Sequence, residues 1–220
     1  MDNCKHCGIN VSYSVSKFGM CKLCEDIFQR EIQILTESKD IINHTKNIST
    51  LLNRCQIALK VLERLKVFEH LELIHPPPAQ IMKDIEEKRS EFVSEYWEDY
   101  CSELTQKLTR YESLDSVIKK IEETKSLFDK YKVHLNSQKQ LNEAEHWVYF
   151  LISDHIIGGY NTLVREAKDY EKNGDNKSAV KKLNEALKCF EKTKNYFGEQ
   201  NQNLDIELKD WITRISTKSI

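Results

Sequence analysis

Four of the seven cysteines stand in two CxxC pairs, Cys4-Lys5-His6-Cys7 and Cys21-Lys22-Leu23-Cys24, with residues 8–20 between them. Two residues between thiols is the spacing at which a tight turn bends both sulfurs toward one cation. Four thiolates at about 2.3 Å then complete a tetrahedral zinc shell with no position left for water or substrate. The chemistry expected of Cys4, Cys7, Cys21 and Cys24 is therefore structural zinc binding, since so small a segment cannot bury a core without a staple. The alternatives are two chance CxxC pairs, a redox dithiol, and a shell in which His6 displaces one cysteine. An odd number of cysteines, four of them paired in this way, fits a reducing compartment better than a secreted disulfide framework.

The remaining reactive residues make no catalytic set. Glu72 with His75 and Glu143 with His146 have the ExxH spacing of di-iron bundles, but that chemistry needs two further inward-facing glutamates, so both pairs are expected to be solvated. Asp154-His155 has no serine or cysteine in a strained turn to serve, and is expected at the surface or a helix end. Cys55, Cys101 and Cys189 fall on apolar stripes and are expected to be core thiols. There is no glycine-rich phosphate loop. The sequence is read as non-enzymatic.

The segment between the knuckles alternates Ile9, Val11, Tyr13 and Val15, then Phe18 and Met20, around Ser16-Lys17, which predicts a short β-hairpin. The second knuckle runs into Glu25-Asp26-Ile27-Phe28, acidic residues opening a helix. Knuckle, hairpin, then a ligand pair at a helix start resembles a Cys4 treble-clef finger more than the related two-knuckle zinc ribbon. The resemblance implies a zinc finger over residues 1–26.

Residues 27–220 read as an α-helical body. Charged residues make up 31% of the chain, above the roughly 25% of an average domain, with only 6 Gly and 3 Pro to interrupt helices. A stripe with a seven-residue period, Ile27, Ile34, Ile41, Ile48, Cys55 and Leu62, predicts a long helical stretch over 27–75, with a break expected at Asn43–Asn47. Pro76-Pro77-Pro78 predicts a stiff elbow. The second long stretch, 79–135, divides into one helix from Ala79 to Tyr111 and another from about Leu114 to Leu135. Gln138–Ile157 carries Trp147-Val148-Tyr149-Phe150-Leu151-Ile152, apolar on every side, and is expected to be a buried helix stopped by Gly158-Gly159. A last helix over 201–216, with Leu204, Leu208, Trp211, Ile212 and Ile215 on one face, suits a cap.

An internal repeat links these helices. Ser116–Lys132 aligns without gaps on Ser178–Lys194, 62 positions on (178 minus 116). Upstream, Trp97, Cys101, Leu104, Leu108 and Tyr111 fall opposite Ile156, Tyr160, Leu163, Ala167 and Tyr170. Ala58–Glu69 is a fainter third copy, with Phe68 opposite Phe128 and Phe190. Residues 160–196 read as a helical hairpin about the Lys172–Lys177 turn, its small Ala167, Ala179 and Ala186 allowing close approach. With Leu163, Tyr170, Gly174-Asp175 and Leu183, residues 160–193 resemble a tetratricopeptide (TPR) repeat. Glu166 departs from the large apolar residue usual there. Glu191 replaces a helix-ending proline, so the second helix is expected to run on toward Asn195. The fold class expected is all-α, a TPR-like body with a small N-terminal finger.

The TPR resemblance implies a scaffold that docks protein partners. In proteins of that family the first helix of each hairpin lines a concave face, which singles out Asn161, Arg165 and Lys168 as partner-binding residues. The alternative is a nucleic-acid-binding protein using Lys5, Lys17, Lys22 and Arg30 with Tyr13 and Phe18. Lys177, Lys181, Lys188 and Lys192 read as a solvated basic face. A net charge of −2 gives no global attraction for nucleic acid. The longest apolar run is far short of a membrane span and the N-terminus lacks a signal layout, so the chain is expected to be cytoplasmic, without membrane or small-molecule substrate.

Overall fold

The computed structural model of the chain describes residues 2–11, 15–108, 114–198, 201 and 203–217. It is all-α with one small antiparallel ribbon. Two compact units are present: residues up to Tyr96 together with Val133–Gln138, and Trp97–Lys132 together with Lys139 onward.

In the first unit, β1 (Asp2–Asn3) pairs with β2 (Asn10–Val11), Asp2 opposite Val11 and Asn3 opposite Asn10. These strands flank the first CxxC. Of the hairpin expected about Ser16-Lys17, the described residues show a tight turn, Ser16 N–H donating to the Met20 carbonyl at 2.9 Å. Tyr13 lies outside the described residues. Helix α1 (Lys22–His44) and helix α2 (Ile48–Leu65) follow. The stretch 27–75 is thus not one helix. It breaks at Thr45–Asn47, where the Asn47 side chain accepts from Thr50 N–H at 2.9 Å and caps α2.

The break also changes which face is buried. In α1 the core takes Phe28, Leu35, Ser38 and Ile42, leaving Ile27 46% exposed, whereas in α2 it takes Ile48, Cys55 and Leu62 of the heptad. Arg64 near the end of α2 meets Glu31 of α1 at 2.7 Å. The last turns tighten into a 3₁₀ segment, Lys66–Leu71, ended by left-handed Glu72 (φ 51°). The helix therefore stops short of His75. Pro78 is the first residue of α3 (Pro78–Leu108), a place where a missing N–H goes unnoticed. The finger expected over 1–26 shares one core with this helix pair, Cys4, Met20 and Cys24 packing in the same cluster as Phe28, Leu35 and Phe68.

The second unit takes α3 from Trp97, α4 (Leu114–Tyr131), α5 (Gln138–Ile152), α6 (Gly158–Lys172), α7 (Asn176–Thr193) and α8 (Leu204–Thr217). Among the described residues the stretch 79–135 carries two helices, and α4 ends at Tyr131 before a 3₁₀ turn, Lys132–His134. Trp97 of α3 packs on Phe128 of α4 at 5.3 Å, and its indole N–H donates to the Ala144 carbonyl at 3.0 Å.

Two expectations for α5 are overturned. Only Ala144, Val148 and Leu151 of this helix are buried, while Tyr149 is 66% and Phe150 39% exposed. Its neighbours cover one face, so a run apolar all round leaves its other side in water. Nor do Gly158-Gly159 stop the helix: a π-turn, Ser153–Ile157, joins α5 to α6, with Gly158 N–H donating to the Ser153 carbonyl and Gly158 itself right-handed (φ −61°). Glycine permits a left-handed stop but does not impose one.

Helices α6 and α7 form the expected hairpin. Gly174 (φ 78°) supplies the left-handed turn residue. The Asp175 side chain caps α7 by accepting from Ser178 N–H at 3.0 Å. Beyond Thr193 a 3₁₀ turn, Lys194–Tyr196, carries the chain on past the TPR-like segment. Glu166, anomalous for an apolar position, pairs with Lys182 across the hairpin at 3.0 Å. Tyr170, expected in the packing, is 39% exposed, and the aromatic filling comes from Tyr160, Phe190 and Phe197. α8 buries Leu208 and Ile215 in the same cluster, and its Trp211 N–H donates to Glu171 at 2.8 Å.

The internal repeat has a matching burial register. The buried residues of α4 (Val117, Ile121, Thr124, Phe128, Tyr131) each fall opposite a buried residue of α7 (Ala179, Leu183, Ala186, Phe190, Thr193), and α7 buries Cys189 besides. Upstream, Trp97, Cys101 and Leu108 are buried like Ile156, Tyr160 and Ala167. Tyr111 lies outside the described residues. In the third copy Phe68 is buried but sits in 3₁₀ rather than α geometry.

Candidate metal centre

The two knuckles are built by complementary backbone devices. In the first, Gly8 N–H donates to the Cys4 carbonyl at 2.9 Å, and Gly8 adopts φ 73°, a left-handed turn that any side chain would strain. In the second, Cys21 is the extended N-cap of α1 and Cys24 lies in its first turn, which holds this pair at a helix start. Lys5 N–H donates to the Gly19 carbonyl at 2.8 Å and Cys21 N–H to Cys4 Sγ at 3.2 Å, stitching the knuckles together.

The result is a compact thiol cluster. The four Sγ atoms of Cys4, Cys7, Cys21 and Cys24 all lie within 4.8 Å of one another, with Cys7 and Cys21 sulfurs 3.9 Å apart. Tetrahedral thiolates around one ion sit about 3.8 Å apart given bonds of about 2.3 Å, so the cluster could hold a metal ion. None of the four is in a disulfide. Burial alone would raise the Cys4 thiol, but backbone donors from Cys7, Cys21 and His6 hold it down at about 6. Cys24 is pushed well up, first by burial and then by its contacts with the other three sulfurs. Crowded thiols resist ionising together, and a cation among them is what removes that resistance.

His6 does not complete the shell. Its ring stacks on Phe68 at 4.2 Å and on His70 at 5.6 Å, and His70 Nε2 lies 3.2 Å from the Lys5 carbonyl. The 3₁₀ segment after α2 is thus the seat of the first knuckle, a contact no spacing in the sequence announces. Phe18 is half-buried beside Phe28 at 6.3 Å.

The other singled-out residues are dispersed. Asn161, Arg165 and Lys168 are all exposed on α6, with Lys168 Nζ 5.8 Å from the Trp211 ring. Glu143 and His146 are exposed on α5, and Glu72 and His75 flank non-helical backbone. Cys55, Cys101 and Cys189 are buried, and burial pushes Cys55 up to about 11 and Cys101 to about 12, where they are inert thiols at neutral pH. Asp154-His155 lies just past the end of α5, in the π-turn: Asp154 is exposed, while the His155 side chain is only 9% exposed and 3.5 Å from the Asp154 carboxylate. Burial holds its pKa below the ordinary value, with Asp154 opposing.

Sequence reasoning missed a cavity of about 570 Å³ in the first unit, between α2 and α3. Its only advance signal is the spacing of Met82, Glu86 and Arg89 on one helical face. Among the described residues no helix is long and apolar enough to cross a membrane. No protein-family model matches this chain, and neither the curated proteins nor the solved structures contain a match to it.

Proposed function

We propose that the chain is a non-enzymatic adaptor: a zinc ion held by Cys4, Cys7, Cys21 and Cys24 fixes the N-terminal module, and a TPR-like helical body docks protein partners. The observation that carries the metal half is the four-sulfur cluster, because an all-thiolate tetrahedral shell suits zinc and offers no open position for catalysis. The scaffold half is supported by the shared burial register of α4 and α7, which makes the second unit two variants of one helix pattern. The cytoplasm, where thiols stay reduced, is the compartment this reading implies.

On this reading Asn161, Arg165 and Lys168 face a partner from α6, offering amide and charge-assisted hydrogen bonds to an acidic segment. Affinity capture from the native host tests it, comparing the natural chain with an Asn161→Ala, Arg165→Ala, Lys168→Ala variant. Loss of a captured protein in the folded variant is the expected result, and unchanged capture removes these three residues from the site. Nucleic-acid binding is the competing reading. Titration with single- and double-stranded oligonucleotides between 50 and 200 mM salt separates the two, since phosphate binding weakens steeply over that range.

A further inference from the structure

Helix α2 and the start of α3 leave between them the cavity of about 570 Å³, within the size range of ligand pockets. Leu52, Leu59 and Met82 supply apolar wall, and Lys60, Arg89 and His134 bring nitrogen groups to it. The third wall is deliberately placed. Asn136 N–H donates to Ser90 Oγ at 2.8 Å and the Asn136 side-chain amide donates to the Glu86 carbonyl at 2.8 Å, which pins the returning turn that carries His134 onto α3.

Arg89 is the unexplained member. Its Nε is buried with no acceptor among the described residues, although a buried guanidinium N–H without a partner is costly. Two carboxylates also face the cavity, Glu63 and Glu86. Glu63 is engaged by Lys66 at 2.8 Å, which leaves Lys60 and Arg89 against Glu86. Charge and lining together ask for an acceptor attached to something apolar.

We infer that this cavity binds a carboxylate-bearing side chain of a partner's peptide segment, with Arg89 and Lys60 on the carboxylate and Leu52, Leu59 and Met82 against the flanking apolar residue. The inference rests on the adaptor reading and gives it a second docking site, in the first unit. Burial and then the Arg89 charge hold His134 below its ordinary pKa. At neutral pH it therefore presents a neutral imidazole, one donor and one acceptor, rather than a third cation.

The test is an NMR titration of the full, metal-loaded chain with the capped peptide Ac-Leu-Glu-Leu-Leu-NH₂ and its Gln counterpart. The Glu peptide is expected to shift the His134 ring and the Asn53 and Gln56 side-chain amides saturably, and to raise the His134 pKa. The Gln peptide should bind about tenfold more weakly, and Arg89→Gln should bring the Glu peptide down to that level. If Arg89→Gln does not fold, the exposed Lys60→Ala carries the same test, with a loss of about threefold expected. Equal binding of the two peptides, shifts confined to other residues, or full affinity in the folded Arg89→Gln chain would overturn the inference. Hexanoate binding as tightly as the Glu peptide would also overturn it, by assigning the cavity to a free acid. A positive titration alongside empty affinity capture would remove the adaptor reading and leave the cavity standing as a site.

Discussion

His6 lies flat on Phe68, ring centroids 4.2 Å apart and planes 25° from parallel, so the loop between the first two cysteines is seated on the 3₁₀ end of the α2 segment. Phe68 also meets Phe28 edge-on at 5.3 Å, which joins the knuckle to α1. Phe68→Ala removes both contacts from a residue only 3% exposed. It should destabilise the chain by about 3–5 kcal/mol. Chelator competition should show faster metal loss than in the natural chain, and urea unfolding gives the stability; a metal-loss rate unchanged in a destabilised variant would sever the two.

Elemental analysis of protein purified without chelator should find one zinc per chain, and Cys21→Ser with Cys24→Ser should abolish it. Zinc binding in such modules is folding energy, apparently about 10–16 kcal/mol at neutral pH. Chelation should therefore unfold the knuckles. Because Cys24 and Phe28 belong to α1, hydrogen exchange should also quicken in the first turns of that helix, while α6 and α7 keep their protection. Uniform loss of protection through both units would contradict this.

Leu183 and Ile121 hold equivalent places in α7 and α4, and both are at most 1% exposed. Truncating either to Ala should cost about 2–5 kcal/mol. Ala186, about one turn on in α7, is fully buried, so Ala186→Leu should cost about 1–3 kcal/mol by overpacking. Lys181→Ala, on the exposed side of α7, should stay within about 0.5 kcal/mol of the natural chain in thermal unfolding.

Burial depresses the pKa of His155 and of His134 in the folded chain. The unfolded chain therefore takes up protons first as pH falls. Their contribution to stability is complete above the unfolded value, near 6.5, and is lost as pH drops from there through the lowered folded values. With metal kept saturating, the melting temperature should decline between pH 7.5 and 5.5, and His155→Gln should flatten that decline. An NMR titration that placed the His155 ring above 6.5 would reverse the sign and refute the prediction.

The residues that determine their own local structure were legible in the sequence. Each CxxC pair is closed by a short-range turn, at Gly8 and at the start of α1, and the bonds from Lys5 to Gly19 and from Cys21 to Cys4 bring the two together within twenty residues. The α6–α7 hairpin was legible because a polar turn separates two stripes of helical period, and the burial register of α4 follows that of α7 because like sequences bury like faces. What required the tertiary structure depended on neighbours distant in sequence. Trp147–Ile152 is apolar all round, but whether Tyr149 and Phe150 are covered is decided by which helices pack against α5, and one face has none among the described residues. Gly158-Gly159 is compatible with a stop or a continuation, and the π-turn into α6 settled it. The seat of His6 on Phe68 and the approach of His134 to Arg89 join residues more than forty positions apart. Periodicity is local, and contacts over that span are selected only when the whole chain packs.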